Sequence, residues 1–175
     1  MAADRPLGYQ TQTSVTSGAS PDVVYDVIAD LRNHLDWSGD RAADDKFKLL
    51  SIDAPDGTAT VGTSFSSSGS AENGTFHDRS EITVATRPSV FVIETEAHLD
   101  RTRGKPWDAH FVHRYDIEPD GAGSTITYTE LIERVNYVPY WLQPVVRSVF
   151  RVYVNRADRK QLANLARLAE ERAAG

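Results

Sequence analysis

Apolar residues recur at helical spacing near the start of the chain and again towards its end, and they alternate with polar residues in between. Near the start, Ser20 can cap a helix, Pro21 suits its first turn and Asp22 favours its positive end. The apolar residues that follow form one stripe: Val24, Val27, Ile28 and Leu31. We therefore predict a helix over about residues 21–30 and a second, short helix over residues 31–37.

Seven segments of alternating polarity follow the pattern of half-buried strands, with turns rich in Pro, Gly, Asp and Ser between them. The predicted strands cover residues 9–17, 47–52, 60–66, 75–85, 90–99, 107–117 and 125–134. Because most connections are short, neighbouring strands are expected to pair antiparallel. Residues 66–74, with the sequence SSSGSAENG, are predicted to form a surface loop and are a candidate lid. A long final helix is predicted from near Pro139 or Pro144 to about Arg172.

Strand alternation defines an inner face of the predicted sheet. The residues expected to line a ligand cavity on this face are mostly aromatic, with a few polar exceptions: Phe76, Asp78, Ser80, Phe91, Thr95, Trp107, Phe111, Tyr115 and Tyr128. Ile82 and Val84 are expected on the same face. The final helix is expected to close the base of the cavity with its own apolar and aromatic side chains: Trp141, Val145, Val149 and Tyr153.

Two polar residues, His113 and Glu130, stand out on this inner face. If Ile117 pairs with Ile126, His113 lies opposite Glu130, with Cβ atoms about 5 Å apart. A carboxylate on an apolar face is costly unless it is paired, and a histidine is a natural partner. We hypothesise a dyad that binds a ligand hydroxyl or carbonyl, or that acts as general base and orienter. A satisfied polar pair without chemistry is the alternative. The expected supports of the dyad are polar residues of two other strands: Asp78, Ser80 and Thr95.

The other histidines are expected to have plainer roles. His34 lies near Trp37, which favours a packing or capping role at the join of the short helices and the sheet. His77, His98 and His110 fall on outward faces of their strands and are expected to do nothing specific. Since no His, Asp and Glu residues show convincing ligand spacing, no metal site is predicted.

Composition and charge narrow the function classes. At 175 residues, with 40% hydrophobic and 25% charged residues, the sequence is typical of one soluble globular domain. We predict a flexible tail over residues 1–8 and a single domain over residues 9–172, with the cytoplasm as the expected location because no leader or membrane span is evident. The net charge of −6 argues against nucleic acid as a partner. With no cysteine, no phosphate-binding glycine loop and no serine-nucleophile motif, no cofactor and no metal are expected.

Two stretches of sequence then carry a family resemblance. They are Pro21-x-x-Val24-Tyr25-x-Val27-Ile28-Ala29-Asp30 with His34-Leu35-x-Trp37, and the strand opening Gly123-Ser124-Thr125-x-Thr127-Tyr128. Both resemble the START-like, helix-grip (SRPBCC) superfamily, which includes Bet v 1-like allergens, polyketide cyclase/dehydrase-like proteins and lipid-transfer domains. The resemblance covers about residues 9–172. It fits an α+β fold with a seven-stranded curved antiparallel sheet wrapped around a long C-terminal helix, and two short helices between strands 1 and 2.

The resemblance implies a hydrophobic-ligand cavity and supplies no catalytic motif, because the superfamily contains carriers, sensors and enzymes. Three functions remain open from the sequence. The first is binding of a small hydrophobic or aromatic ligand, lipid-like or polyketide-like. The second is a polyketide cyclase/dehydrase-type enzyme in which the His113–Glu130 pair transfers protons. The third is a lipid carrier with weak peripheral membrane contact through Tyr140 and Trp141. The sequence is compatible with a monomer or a homodimer.

Overall fold

The computed structural model describes the backbone of residues 8–38, 47–135 and 143–175, and the side chains of these residues except 47 and 143–156. The strands are β1 (Tyr9–Ser17), β2 (Phe47–Asp53), β3 (Ser64–Ala71), β4 (Gly74–Thr86), β5 (Val90–Arg101), β6 (Trp107–Asp120) and β7 (Gly123–Val135). The helices are α1 (Pro21–Ala29), a 3₁₀ turn (Leu31–Asn33), α2 (His34–Ser38) and α3 (Gln143–Ala174).

The strands form one antiparallel sheet in the order β1-β7-β6-β5-β4-β3-β2, so the first strand pairs with the last. The long helix α3 packs on β1 and also contacts α1 and α2. This arrangement confirms the predicted α+β fold, including the two short helices between the first and second strands. None of the helices in the described ranges has the length and apolar character needed to cross a membrane.

The register of the central strands follows the predicted alternation. Ile117 pairs with Ile126, which brings His113 directly opposite Glu130 as expected. The prediction for Val84 is wrong, because a β-bulge after Ile82 shifts the register of β4. Val84 therefore pairs with Val92, and Ala85 takes the place beside the buried core.

The predicted loop over residues 66–74 is wrong as well. Ser64–Ala71 forms strand β3, which pairs with both β2 and β4, and only residues 72–73 turn towards Gly74. The strand predicted over residues 60–66 accordingly begins at Ser64. The small residues that suggested flexibility serve packing instead: a Cβ at Gly69 would collide with the ring of Phe76 and with the backbone of β2.

The hydrophobic core lies where α1, α2 and α3 meet the inner face of the sheet. Its largest fully buried side chains come from α1, the 3₁₀ turn, the sheet and α3: Ile28, Leu31, Ile82, Phe91, Ile117, Ile126 and Leu165. Helix α1 begins with Pro21 at its first turn, as predicted, and buries the apolar stripe of the sequence. The core fixes α3 against β1, and this contact positions the residues of the candidate site.

Candidate functional site

The inner face of β6, β7 and β1 presents its polar side chains in two adjacent rows. His113, Glu130 and Thr11 are cross-strand partners in the first row. The partners in the second row are Tyr115, Tyr128 and Thr13. Direct cross-strand partners have Cβ atoms about 5 Å apart, so the rows form one compact patch on an otherwise apolar wall.

His113 contacts Tyr128 more closely than it contacts Glu130. Its Nδ1 lies 2.7 Å from the Tyr128 hydroxyl, a hydrogen bond, and 3.8 Å from Glu130 Oε1. The imidazole ring stacks on Tyr128 and on Phe111, with ring centroids 6.1 and 5.9 Å apart. His113 and Glu130 are therefore adjacent, as predicted, but Nδ1 of His113 is hydrogen-bonded to the Tyr128 hydroxyl and not to Glu130.

A further residue of this patch, Asp158 on α3, is missing from the sequence-based prediction. It is buried, and the Thr11 hydroxyl donates a hydrogen bond to its Oδ2 at 3.2 Å. A signal for it exists in the sequence, since Asp158 precedes Leu162 by four residues and Leu165 by seven. An acidic residue on the apolar stripe of a helix indicates a buried carboxyl. We name His113, Tyr128, Glu130, Asp158 and Thr11 the inner polar cluster.

Burial controls the charges of the inner polar cluster. It raises the pKa of Glu130 and of Asp158, and the proximity of Asp158 raises the pKa of Glu130 further. The Thr11 hydrogen bond opposes this effect at Asp158 by lowering its pKa. Burial, followed by the charges of His34 and His110, lowers the pKa of His113 to about 4. The histidine is thus neutral at pH 7, and the two carboxyls retain a proton between them.

The three polar residues expected to assist His113 and Glu130 form a patch on β4 and β5 that is separate from the inner polar cluster: Asp78, Ser80 and Thr95. Ser80 Oγ and Thr95 Oγ1 hydrogen-bond each other at 2.9 Å. On β4, Ile82 lies in the same cross-strand row as His113. Asp78 lies four residues before Ile82, a separation of about 13 Å along the strand. Its Oδ1 is buried without a hydrogen-bond partner among the described residues, and burial raises its pKa to about 7.

The aromatic residues predicted to line the cavity occupy different depths. Phe76 and Phe91 are buried, whereas Trp107 and Phe111 are half-buried with ring centroids 6.1 Å apart. Tyr115 is buried, and its ring lies 4.9 Å from that of Tyr128. Of the predicted helical residues, Trp141 lies outside the described residues. The side chains of the other three lie outside them too: Val145, Val149 and Tyr153.

His34 has the packing role expected of it. It is buried, and its Nε2 lies 2.9 Å from the Ile28 carbonyl oxygen. Its ring packs against that of Trp37 in a tilted arrangement, with centroids 4.7 Å apart. Burial lowers the pKa of His34 to about 4, so the ring is neutral and Nε2 donates to the carbonyl.

The outer face of the sheet carries the remaining histidines, and two of them contact carboxylates. His98 Nδ1 lies 2.6 Å from Asp108, and His110 Nδ1 lies 3.1 Å from Glu133. A polar groove of about 830 Å³ crosses this face, and its lining includes His77. No cluster of three or more His, Asp or Glu side chains suited to a metal ion occurs in the described ranges.

A seven-stranded sheet packed on a long C-terminal helix, with two short helices after the first strand, defines a helix-grip protein. The family model for polyketide cyclase/dehydrase and lipid transport proteins matches residues 9–170. The chain therefore belongs to that family, which confirms the predicted relationship to START-like proteins. No curated protein is significantly similar to the sequence.

Solved structures support the fold assignment. A protein from Arthrobacter aurescens superimposes with a TM-score of 0.67 at 12% identity, covering 94% of this chain and 87% of that one. Protein CV1439 from Chromobacterium violaceum gives 0.63 at 12% identity, with 93% and 98% covered. Ara h 8.0201 gives 0.56 at 12% identity, with 90% and 98% covered. At such identities these similarities establish the fold alone.

Proposed function

We propose that the protein binds a small hydrophobic or aromatic ligand, lipid-like or polyketide-like, between the inner face of the sheet and α3. The observation that carries this proposal is the inner polar cluster, which brings together four hydrogen-bonding side chains of the inner sheet face and one of α3. Ligand sites commonly combine apolar walls with a few polar groups that fix orientation. Membership of a family described by polyketide cyclisation, dehydration and lipid transport supports the same function.

The protonation of the cluster favours hydrogen bonding to a ligand oxygen. A neutral His113 and a protonated carboxyl can donate to a carbonyl or accept from a hydroxyl. The adjacent rings of Phe111 and Trp107 offer an apolar surface for the body of the ligand. The ligand expected from this surface is an apolar molecule with one or two oxygen substituents.

Native mass spectrometry of gently purified protein is the first test. A retained compound of defined mass is expected, and its extraction would identify the ligand class. In parallel, titration with the neutral hydrophobic dye Nile red is expected to give saturable fluorescence enhancement. The substitution His113→Ala should weaken dye or ligand binding about tenfold, whereas the matched outer-face substitution His98→Ala should leave it unchanged. Absence of both a retained compound and dye binding would refute the proposal.

A second candidate function is a cyclase or dehydratase, and the raised pKa of the buried Glu130 favours it. A carboxyl that keeps its proton at pH 7 can act as general acid beside a neutral histidine base. In a dehydration, His113 would accept the α-proton of a β-hydroxy carbonyl chain. Glu130 would protonate the departing hydroxyl, so that water leaves and a carbon–carbon double bond forms.

The enzyme alternative is tested with a β-hydroxy thioester and with mass spectrometry that detects the loss of one water molecule. Glu130→Gln should reduce turnover at least about a hundredfold while substrate remains bound. Glu133→Gln, on the outer face of the same strand, is the control. Equal turnover of Glu130→Gln and the unaltered protein would exclude this role for Glu130.

The lipid-carrier alternative depends on Tyr140 and Trp141, which lie outside the described residues. Membrane contact therefore stays a prediction, as do a cytoplasmic location and the oligomeric state. Co-sedimentation with anionic liposomes at low salt tests the membrane contact. If the protein makes this contact, it should pellet with the vesicles.

A further inference from the structure

The two carboxyls of the inner polar cluster have no lysine or arginine partner among the side chains that the structure describes. Glu130 has a side chain only 13% exposed, and the neutral ring of His113 lies 3.8 Å from its Oε1. Asp158 is 7% exposed and receives one hydrogen bond, from Thr11. The two carboxyls thus lie in one region with few hydrogen-bond donors. Hydrogen-bond acceptors and potential negative charge are in excess there.

An independent observation indicates that another polar group belongs in this space. Thr13 is 7% exposed, and its Oγ1 has no hydrogen-bond partner within the described part of the chain. It lies on β1 directly opposite Tyr128, and it shares the inner face with Thr11 two residues earlier. Because buried hydroxyls are rarely left unpaired, a ligand donor beside Thr13 would remove a free-energy cost.

Aromatic rings border the same space. The rings of Phe111, His113 and Tyr128 are stacked in sequence, and Tyr115 contacts Tyr128 from the neighbouring strand. The faces of such rings carry partial negative charge and attract cations, most strongly where water is excluded. The aromatic faces and the carboxyls, which have no cationic partner among the described side chains, therefore favour the same kind of ligand group.

We infer that the inner polar cluster binds the ammonium group of a hydrophobic amine, held by Glu130, Asp158 and the Thr13 hydroxyl. This inference rests on the proposed ligand-binding function and specifies the class of ligand. The ammonium group would supply the donors that the two carboxyls and Thr13 lack. The hydrocarbon part of the amine would lie against the apolar wall beside Phe111.

Binding of an ammonium ion should expel a proton from the cluster. Burial raises the pKa of both carboxyls, and a bound cation would lower it again by favouring the charged forms. Among the side chains that the structure describes, the other titratable groups near the carboxyls are His113 and Tyr115 on β6 and Tyr128 on β7. The histidine has a pKa of about 4, and burial raises the pKa of both tyrosines. All three are neutral at pH 7, so the expelled proton comes from the carboxyl pair.

The test uses three ligands of equal chain length: octylamine, octanol and octanoate. Isothermal titration calorimetry at pH 7 in two buffers of different ionisation enthalpy measures affinity and the number of protons released. Octylamine is expected to bind at least about tenfold more tightly than octanol, with octanoate weakest. Octylamine should release close to one proton, and octanol none.

Variants assign the preference to the cluster. Glu130→Gln and Asp158→Asn should each reduce octylamine affinity about tenfold, a larger loss than either causes for octanol, because the amide keeps a hydrogen-bonding group but cannot carry the negative charge. Glu133→Gln on the outer face is the matched control, and a thermal melt confirms that each variant folds. If Asp158→Asn does not fold, Glu130→Gln together with Thr13→Val carries the test.

The possible failures are distinguishable. Octanol binding as tightly as octylamine, or an amine preference that survives Glu130→Gln, would overturn this inference while the ligand-binding function stands. If none of the three ligands binds and Nile red does not bind either, the proposed function itself fails, and this inference fails with it.

Discussion

The two faces of strand β6 carry the same kind of residue pair in opposite electrostatic states. On the inner face, His113 is the direct cross-strand partner of Glu130 on β7. On the outer face, Asp108 is the direct cross-strand partner of His98 on β5. Burial lowers the pKa of His113 to about 4, whereas the hydrogen bond that His98 donates to Asp108 raises the pKa of His98. The inner pair is therefore neutral, and the outer pair is an ion pair at pH values below the raised pKa of His98.

The difference shows that a cross-strand carboxyl partner does not by itself decide the charge of a histidine on this sheet. Solvent access decides it, because desolvation penalises both charged forms on the inner face. A neutral pair can donate and accept protons or hydrogen bonds with little charge to neutralise. An exposed ion pair is screened and contributes little to stability. The inner face is thus the side on which ligand chemistry is expected.

The largest expected effect is a difference in unfolding free energy between a buried inner-face substitution and an exposed one. Phe91→Ala on the inner face should lower the free energy of unfolding by about 3–5 kcal/mol, because Phe91 is 0% exposed and its removal leaves a cavity. Leu50→Ala, at a side chain 57% exposed, should change it by less than about 0.5 kcal/mol. Urea denaturation at pH 7 measures both. Equal losses would contradict the assignment of the core to the inner face.

The second prediction concerns the carboxyl of the inner pair. The folded-state pKa of Glu130 lies above the unfolded value of 4.5, so its contribution to stability is lost as pH rises above about 4.5 and through the raised pKa. Glu130→Gln should therefore stabilise the fold at pH 9 by about 2–3 kcal/mol and have little effect at pH 5. The exposed control Glu133→Gln should show no such pH dependence in urea denaturation. A destabilised Glu130→Gln at pH 9 would count against a raised pKa.

The third prediction concerns the histidines of the two pairs. The folded-state pKa of His113, about 4, lies below the ordinary histidine pKa of 6.5, so the contribution of His113 to stability is complete above pH 6.5 and is lost as pH falls towards 4. Between pH 7 and pH 5 this loss amounts to about 2 kcal/mol, and His113→Gln should remove it.

His98 should behave in the opposite sense. Its raised pKa adds stability at low pH that is lost as pH rises through the folded value. Proton NMR titration of the two imidazole rings checks both directions. A His113 ring that titrates near pH 6.5 would remove the distinction between the faces.

The smallest expected effect comes from the threonine beside Asp158. Thr11→Val removes a buried hydrogen bond to a carboxyl and should cost about 1 kcal/mol of unfolding free energy. Thr125→Val removes an exposed hydrogen bond to Asp120 at 3.1 Å and should cost less than about 0.5 kcal/mol. Thermal melts of both variants make the comparison. A larger loss for Thr125→Val would contradict the burial of the Thr11 contact.

Much of this architecture is predictable because local patterns encode it. The bounds of β1 and the His113–Glu130 register follow from strand alternation and from one short turn. The strand over Ser64–Ala71 is not predictable in this way, since its serines and glycine resemble a loop until two neighbouring strands pair with it. Tertiary packing overrides local propensity there.

The candidate site is less predictable than the fold. Asp158 reaches the inner polar cluster only because α3 packs across β1, and a sequence does not specify which helix face meets which strand. The protonation of His113 depends on how completely the surrounding elements exclude water. Such burial is a property of the assembled fold, so the sequence identifies the pair and not its charge.

The pairing of β1 with β7 has a consequence for biosynthesis. The hydrogen bond from Thr11 to Asp158 joins residues 147 positions apart, and the one from Ser124 to Ala19 spans 105 positions. A ribosome must therefore make nearly the whole chain before the first strand can meet its partner. Until then the nascent β1 is an unpaired strand, and contacts of this range make folding slow. We expect the newborn chain to depend on molecular chaperones more than a protein built from neighbouring hairpins would.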